Sequence, residues 1–111
     1  MKTTYLKDQG DSAMRFARNV HFQIKNGKEQ EFNTLFEKEV LPMLRRQNGF
    51  QQEVTLSNRT DAIGISLWDD RKSAETYQTA TYPSVLAKLT GVIEGTPKVE
   101  TYETASSYLR A

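Results

Sequence analysis

The stretch GKEQEFNTLFEKEVLPMLRRQNGF, residues 27–50, constrains the fold more than any other part of the chain. Phe32, Leu35, Phe36, Val40, Met43 and Leu44 recur at the i, i+3, i+4, i+7 spacing of one helix face, while Glu31, Glu37, Lys38, Arg45 and Arg46 take the other sides. Asn26-Gly27 supplies a turn before this helix and Asn48-Gly49 a stop after it. Arg45 and Arg46 fall in the last turn, where the helix dipole favours cations. Such a helix gains its stability by laying its apolar stripe on a flat partner. Pro42 removes one i→i−4 hydrogen bond and clashes with the carbonyl of Lys38, so a kink or break is expected near Leu41.

Short alternating segments on both sides of this helix predict the flat partner. In RFARNVHFQIK (residues 15–25) Phe16, Val20, Phe22 and Ile24 share one face with Arg18, and Ala17, Asn19, His21 and Gln23 take the other. A second strand runs from Phe50 to Leu56, and the turn residues Ser57 to Asp61 lead by a hairpin into a third, Ala62 to Trp68. On the third strand Ile63, Ile65 and Leu67 are expected to face the helices. Gly64 and Ser66 then join Ala17, Asn19, His21, Gln51 and Thr55 on the open face, while Trp68, at the strand's end, is left open to either face. Asp69-Asp70 offers N-capping carboxylates to a second helix beginning near Arg71 and interrupted at Tyr82-Pro83-Ser84. Val85, Leu86, Leu89 and Ile93 are read as packing inward, Gly91, Gly95 and Pro97 as a loop. A fourth strand is expected from Lys98, with Val99 and Tyr102 packing. The order β-α-β-β-α-β predicts an α+β, ferredoxin-like domain: a four-stranded antiparallel sheet with its helices on one face. The domain is expected over residues 14–105, between a flexible N-terminal tail (1–13) and a C-terminal tail (106–111).

Composition narrows the function classes. Fifteen basic against fourteen acidic residues, mixed along the chain, give a net charge of +1. Nucleic-acid binding calls for a basic excess or stripe, and none is present. No apolar run is long enough to span a bilayer, no secretory leader is visible, and no basic cluster suggests a membrane anchor. The absence of cysteine removes disulfides, thiolate zinc sites and thiol nucleophiles, and is compatible with a reducing cytoplasm.

Taken with this element order, FEKEVLPMLRRQNGF and ISLWDDRKSAETY resemble the antibiotic biosynthesis monooxygenases, of the dimeric α+β barrel superfamily. The markers are Leu-Pro-x-Leu late in the first helix, Gly-Phe opening the second strand, and a Trp followed by acids closing the third. The resemblance spans roughly Met14 to Ala105. It implies a homodimer with sheets packed face to face and, in each subunit, a pocket between sheet and helices for a small hydrophobic or aromatic ligand. Enzymes of this kind oxygenate electron-rich aromatic or quinol-type compounds without metal or flavin. The chemistry needs a substrate anion able to pass an electron to O₂, donors for developing oxyanions, and exclusion of water. The haem-degrading branch fits less well. Residues 71–95 hold no histidine to ligate iron, and the Asn of that branch falls on Val20 rather than Asn19.

Within that frame the candidate catalytic residues are Arg18, Asn19, His21 and Trp68, and the candidate pocket wall is Tyr77, Tyr82, Phe22 and Phe36. Arg18, a charge on an apolar stripe, must be paired with a glutamate at the sheet rim or clamp an anionic substrate. His21 is the single side chain titrating near neutrality without help, and would serve as acid/base or stand at an interface. Trp68 either fills space or donates its indole N–H to a ligand. Glu31, Glu37 and Glu39 read as a solvated helix face, Asp69 and Asp70 as caps. The alternatives are a non-enzymatic small-molecule-binding module of the same fold, an isomerase or decarboxylase, and an RNA-recognition module, whose aromatic pattern the third strand lacks.

Overall fold

A computed structural model describes residues 15–105; the expected tails, 1–13 and 106–111, and Met14 of the expected domain lie outside the described residues. The elements run β1 (Phe16–Ile24), α1 (Glu29–Leu35), a π-helical turn (Phe36–Val40), α2 (Leu41–Arg45), β2 (Phe50–Asn58), β3 (Asp61–Trp68), α3 (Arg71–Ala80), α4 (Tyr82–Leu89) and β4 (Ile93–Glu103). The four strands form one sheet in the order β2-β3-β1-β4, and every neighbouring pair is antiparallel. This is the expected ferredoxin-like arrangement.

The first helix follows its apolar row with one adjustment. Phe32, Phe36, Val40 and Leu44 are all buried, at a strict spacing of four. On an ideal α-helix such a row drifts by about 40° at each step. The π turn at Phe36–Val40, bonded i→i+5, takes up this drift and keeps the row on the sheet. It also meets the difficulty posed by Pro42. The proline falls in the first turn of α2, and the expected break is a widened turn in a continuous helical run. Asp70 caps α3, its Oδ1 accepting from the Ser73 N–H at 2.8 Å, as the carboxylate pair predicted. Pro83 sits in the first turn of α4.

Gly49, at φ +82°, turns the chain from α2 into β2. A Cβ there would run into the side chain of Ser73, so the left-handed turn and the docking of α3 both require glycine. Two expectations are corrected beyond it. The fourth strand begins at Ile93, so Gly95 and Pro97 lie within it, and an irregularity opposite His21–Gln23 absorbs them. Tyr102 pairs with Ala17 on the open face and is 54% exposed, so it does not pack under the helices; Val99, opposite Val20, does.

The larger correction concerns the sheet's two faces. Ala62, Gly64, Ser66 and Trp68 are buried beneath the helices, and Ile63, Ile65 and Leu67 look outward. The register slips between Phe50 and Gln52, so that Phe50 faces Trp68 on the covered side while Glu53, not Gln52, stands opposite Ser66. Val54 and Leu56 are thereby turned out, 41% and 52% exposed, and Thr55 is turned in.

Candidate functional site

The covered face of β1 places Arg18 under α3 and α4. It is 3% exposed, an unusual place for a cation. Its guanidinium carbon lies 4.9 Å from the centre of the Tyr77 ring and 4.6 Å from that of Tyr82, and its Nη2 donates to Gln78 Oε1. The glutamate expected as its partner is therefore a neutral glutamine, supplemented by two aromatic faces. Arg18 Nε and the Tyr82 hydroxyl, both fully covered, have no partner of good hydrogen-bond geometry among the described residues, although the guanidinium and that hydroxyl lie close enough to interact. Burial opposes the guanidinium's charge and is resisted by Tyr77, Tyr82 and Glu53; a guanidinium stays protonated under such conditions.

These groups border a cavity between sheet and helices, walled also by Phe22, Phe36 and Val85. Its free volume is about 20 Å³, room for a water molecule. Phe36, the first residue of the π turn, separates it from a solvent-facing cleft of about 310 Å³ bordered by Asn33, Leu41, Thr55 and Ser57. Phe22, Phe32 and Phe36 pack together at this wall with centroids 5.4–6.2 Å apart, Phe22 and Phe36 edge to face and the other two pairs tilted.

Trp68 is fully buried but stands behind the cavity rather than in its wall. Its indole N–H donates to Ser66 Oγ at 2.9 Å and its ring lies 5.1 Å from Tyr77, with Phe50 at its edge. With its donor engaged, Trp68 holds Tyr77 in place. Burial pushes the Tyr77 and Tyr82 hydroxyls above the ordinary tyrosine range, and the Arg18 charge pulls the other way.

The structure thus gathers Arg18, Tyr77, Tyr82, Phe22 and Phe36, with Trp68 backing them. It does not bring Asn19 or His21 to the cavity, because the alternation of β1 turns both to the opposite face. There His21 Nε2 meets Asp61 Oδ1 at 2.9 Å, both side chains nearly half exposed. Asn19 lies between Ile65 and Glu100. Among the described residues no three His, Asp or Glu side chains come together as metal ligands, and no helix is long and apolar enough to cross a membrane.

Glu53 is the cavity residue that sequence reasoning missed. Its Oε2 accepts from the Thr55 hydroxyl at 3.1 Å, and no ion pair joins it to Arg18 across the same cavity. Burial pushes its carboxyl up to about 8, with the Thr55 bond and Arg18 opposing. Gly64 makes room for it: a Cβ at that position would approach Oε2 to 2.9 Å. A partly buried acid across from a small residue on the paired strand is the signal that was available, but only with the register known.

No protein-family model matches this sequence, and no curated protein matches it. Solved structures do. A protein of unknown function from Nitrosomonas europaea is similar at a TM-score of 0.75 and 17% identity, over 88% of this chain and 96% of that one. SnoaB, a cofactor-independent oxygenase from Streptomyces nogalater, is similar at 0.71 and 17%, over 89% and 100%. A monooxygenase from the gene ActVA-Orf6 of Streptomyces coelicolor, in complex with nanaomycin D, is similar at 0.70 and 16%, over 86% and 92%. The chain has the fold of the antibiotic biosynthesis monooxygenases.

Proposed function

We propose that this protein is a homodimeric, cofactor-independent monooxygenase for a small phenolic or quinol-type aromatic, with the sheet–helix cavity as its site. The observation that supports this reading is Arg18: a buried cation held between two tyrosine rings, its Nε without a protein partner among the described residues. A substrate oxyanion placed at Nε and the Tyr82 hydroxyl would satisfy both, in surroundings where an electrostatic contact is strong. Tyr77, Tyr82, Phe22 and Phe36 supply aromatic walls, Trp68 fixes Tyr77, and the enclosure keeps bulk water from the reacting anion. Similarity of fold to a cofactor-independent oxygenase and to a monooxygenase adds support.

A ring-sized ligand needs more space than the cavity offers. Phe36 is the door on this reading: rotated into the adjoining cleft, it joins the two spaces. The open sheet face, apolar with Val54, Leu56 and Tyr102 exposed, is the surface offered to a second copy, and Asn19 and His21 stand on it.

The water-sized cavity favours one other reading, a binding module that closes on its ligand without turnover. Oxygen uptake over a panel of naphthols, hydroquinones and anthrones separates the two. Protein-dependent O₂ consumption that Arg18→Met abolishes is the expected result. Ligand binding without O₂ consumption selects the binding module, and turnover under nitrogen selects an isomerase or decarboxylase.

A further inference from the structure

We infer that Glu53 is the group that exchanges a proton with the ligand's hydroxyl, so that the cavity selects aromatics carrying an acidic O–H over their ethers. This inference rests on the cavity being the ligand site, as proposed above.

The geometry leads to it. Arg18 on β1 and Glu53 on β2 project into one cavity from strands that are not neighbours, with Ser66 and Gly64 of β3 between them. They form no ion pair. A buried cation and a partly buried carboxyl in one small space ordinarily close on each other, because separation leaves the charge poorly solvated. Here Arg18 is held back by Gln78 and the two tyrosine rings, and Glu53 by Thr55. The interval between them suits a ligand oxygen that turns its charge to Arg18 and its proton to Glu53. Gly64 leaves the space beside the carboxyl open: an added Cβ would come within 2.9 Å of Oε2, and the flexible end of Glu53 would have to give way.

The step moves one proton and no electrons. The ligand O–H bond breaks, an O–H bond forms on the Glu53 carboxylate, and the electron pair left on the ligand oxygen faces Arg18. The same complex forms from a phenolate and protonated Glu53. With its carboxyl raised to about 8, Glu53 stands close enough to phenol acidity for exchange in either direction. The other titratable groups facing it are Arg18 from β1, Tyr77 from α3 and Tyr82 from α4. The tyrosines remain neutral in this range because burial pushes their hydroxyls upward, so the carboxyl is the group that changes charge.

The probe is 4-nitrophenol, whose anion is coloured, bound under nitrogen between pH 7 and 9.5, with 4-nitroanisole as the ether. In the wild type, affinity for the nitrophenolate should fall about tenfold per pH unit once Glu53 ionises, because carboxylate and phenolate then repel. In Glu53→Gln it should stay level over that range, and in Arg18→Met it should be lower throughout with the wild-type slope. The ether should show no pH dependence in any form. Glu53→Asp, which retains a carboxylate, should keep a falling limb. A wild type that does not bind nitrophenol, or a Glu53→Gln profile parallel to the wild type, overturns the assignment. Oxygen uptake is measured separately: the expected binding pattern without O₂ consumption keeps Glu53 and ends the oxygenase reading. Uptake that Glu53→Gln leaves unchanged does the reverse.

Discussion

Trp68 and Ser66 stand two residues apart on β3, both buried, and the indole Nε1 donates to the serine hydroxyl at 2.9 Å. A bond along one strand face between i and i+2 is possible because both side chains point under the helices. It also settles why a serine occupies a covered position: it satisfies the one polar atom of the largest core side chain. Ser66→Ala leaves the indole N–H buried without a partner, at a cost of about 1–3 kcal/mol. Urea unfolding followed by Trp68 fluorescence measures it; an unchanged midpoint would mean that the indole had found another acceptor.

Arg18→Met separates stability from binding. A buried cation contributes little net stability once its desolvation is counted, and an apolar group of similar length often leaves a fold unharmed. Here Gln78 loses a donor and two rings lose a cation, while the desolvation cost disappears. The expected change in unfolding free energy is within about 1 kcal/mol. Binding of an aromatic anion should fall at least about tenfold, the loss of one charge-assisted hydrogen bond. Thermal unfolding and nitrophenolate titration check the two halves. Equal loss of both would make Arg18 a structural residue.

Glu53 gives the pH dependence of stability a definite sign. Its carboxyl is raised from 4.5 to about 8 in the folded chain. Above about 4.5 the unfolded chain releases this proton while the folded chain keeps it, so folding loses ground as pH climbs, until the folded carboxyl ionises near 8. The favourable contribution is whole below the unfolded value and gone above the folded one, and amounts to a few kcal/mol. Chemical denaturation at intervals from pH 5 to 9 should show a decline in the wild type that Glu53→Gln flattens. A decline of equal slope in both would show that other groups cause it.

The first helix and β1 were legible because each has one clearly apolar side. Phe16, Arg18, Val20, Phe22 and Ile24 alternate with Ala17, Asn19, His21 and Gln23, and the structure keeps that division. β3 was not legible in the same way. Alternation sorts AIGISLW into two sets, yet both are apolar, and pattern alone does not say which set goes inside. The larger aliphatic set was the natural choice for the core. Phe22, Phe36 and Trp68 crowd the covered side, however, so Ala62, Gly64 and Ser66 fit there and the isoleucines go out. β2 failed for a different reason. Phe50 belongs to the core side as expected, but the slip before Gln52 reverses every later residue, turning Val54 and Leu56 out and Glu53 in. One extra residue therefore hid the acid of the candidate site. Arg18, Tyr77 and Tyr82 were found because β1 and the capped, proline-punctuated second helical region needed no such correction.

That reversal makes the sheet face away from the described helices apolar. Ile63, Ile65 and Leu67 of β3 stand beside Val54 and Leu56 of β2 on the face opposite the described helices, with Tyr102 of β4 across β1. A solvated sheet face would carry polar residues at these alternate positions. An apolar row at the centre of a sheet instead suits burial against another apolar face, and a second copy of this chain presents the same row about a two-fold axis. Sedimentation should find a dimer at micromolar concentration. Leu56→Lys places a charge within the row while leaving the covered face untouched, so it should yield a monomer with unchanged circular dichroism. A wild type that sediments as a monomer, or a lysine variant that still pairs, would mean that this face is not where two copies meet.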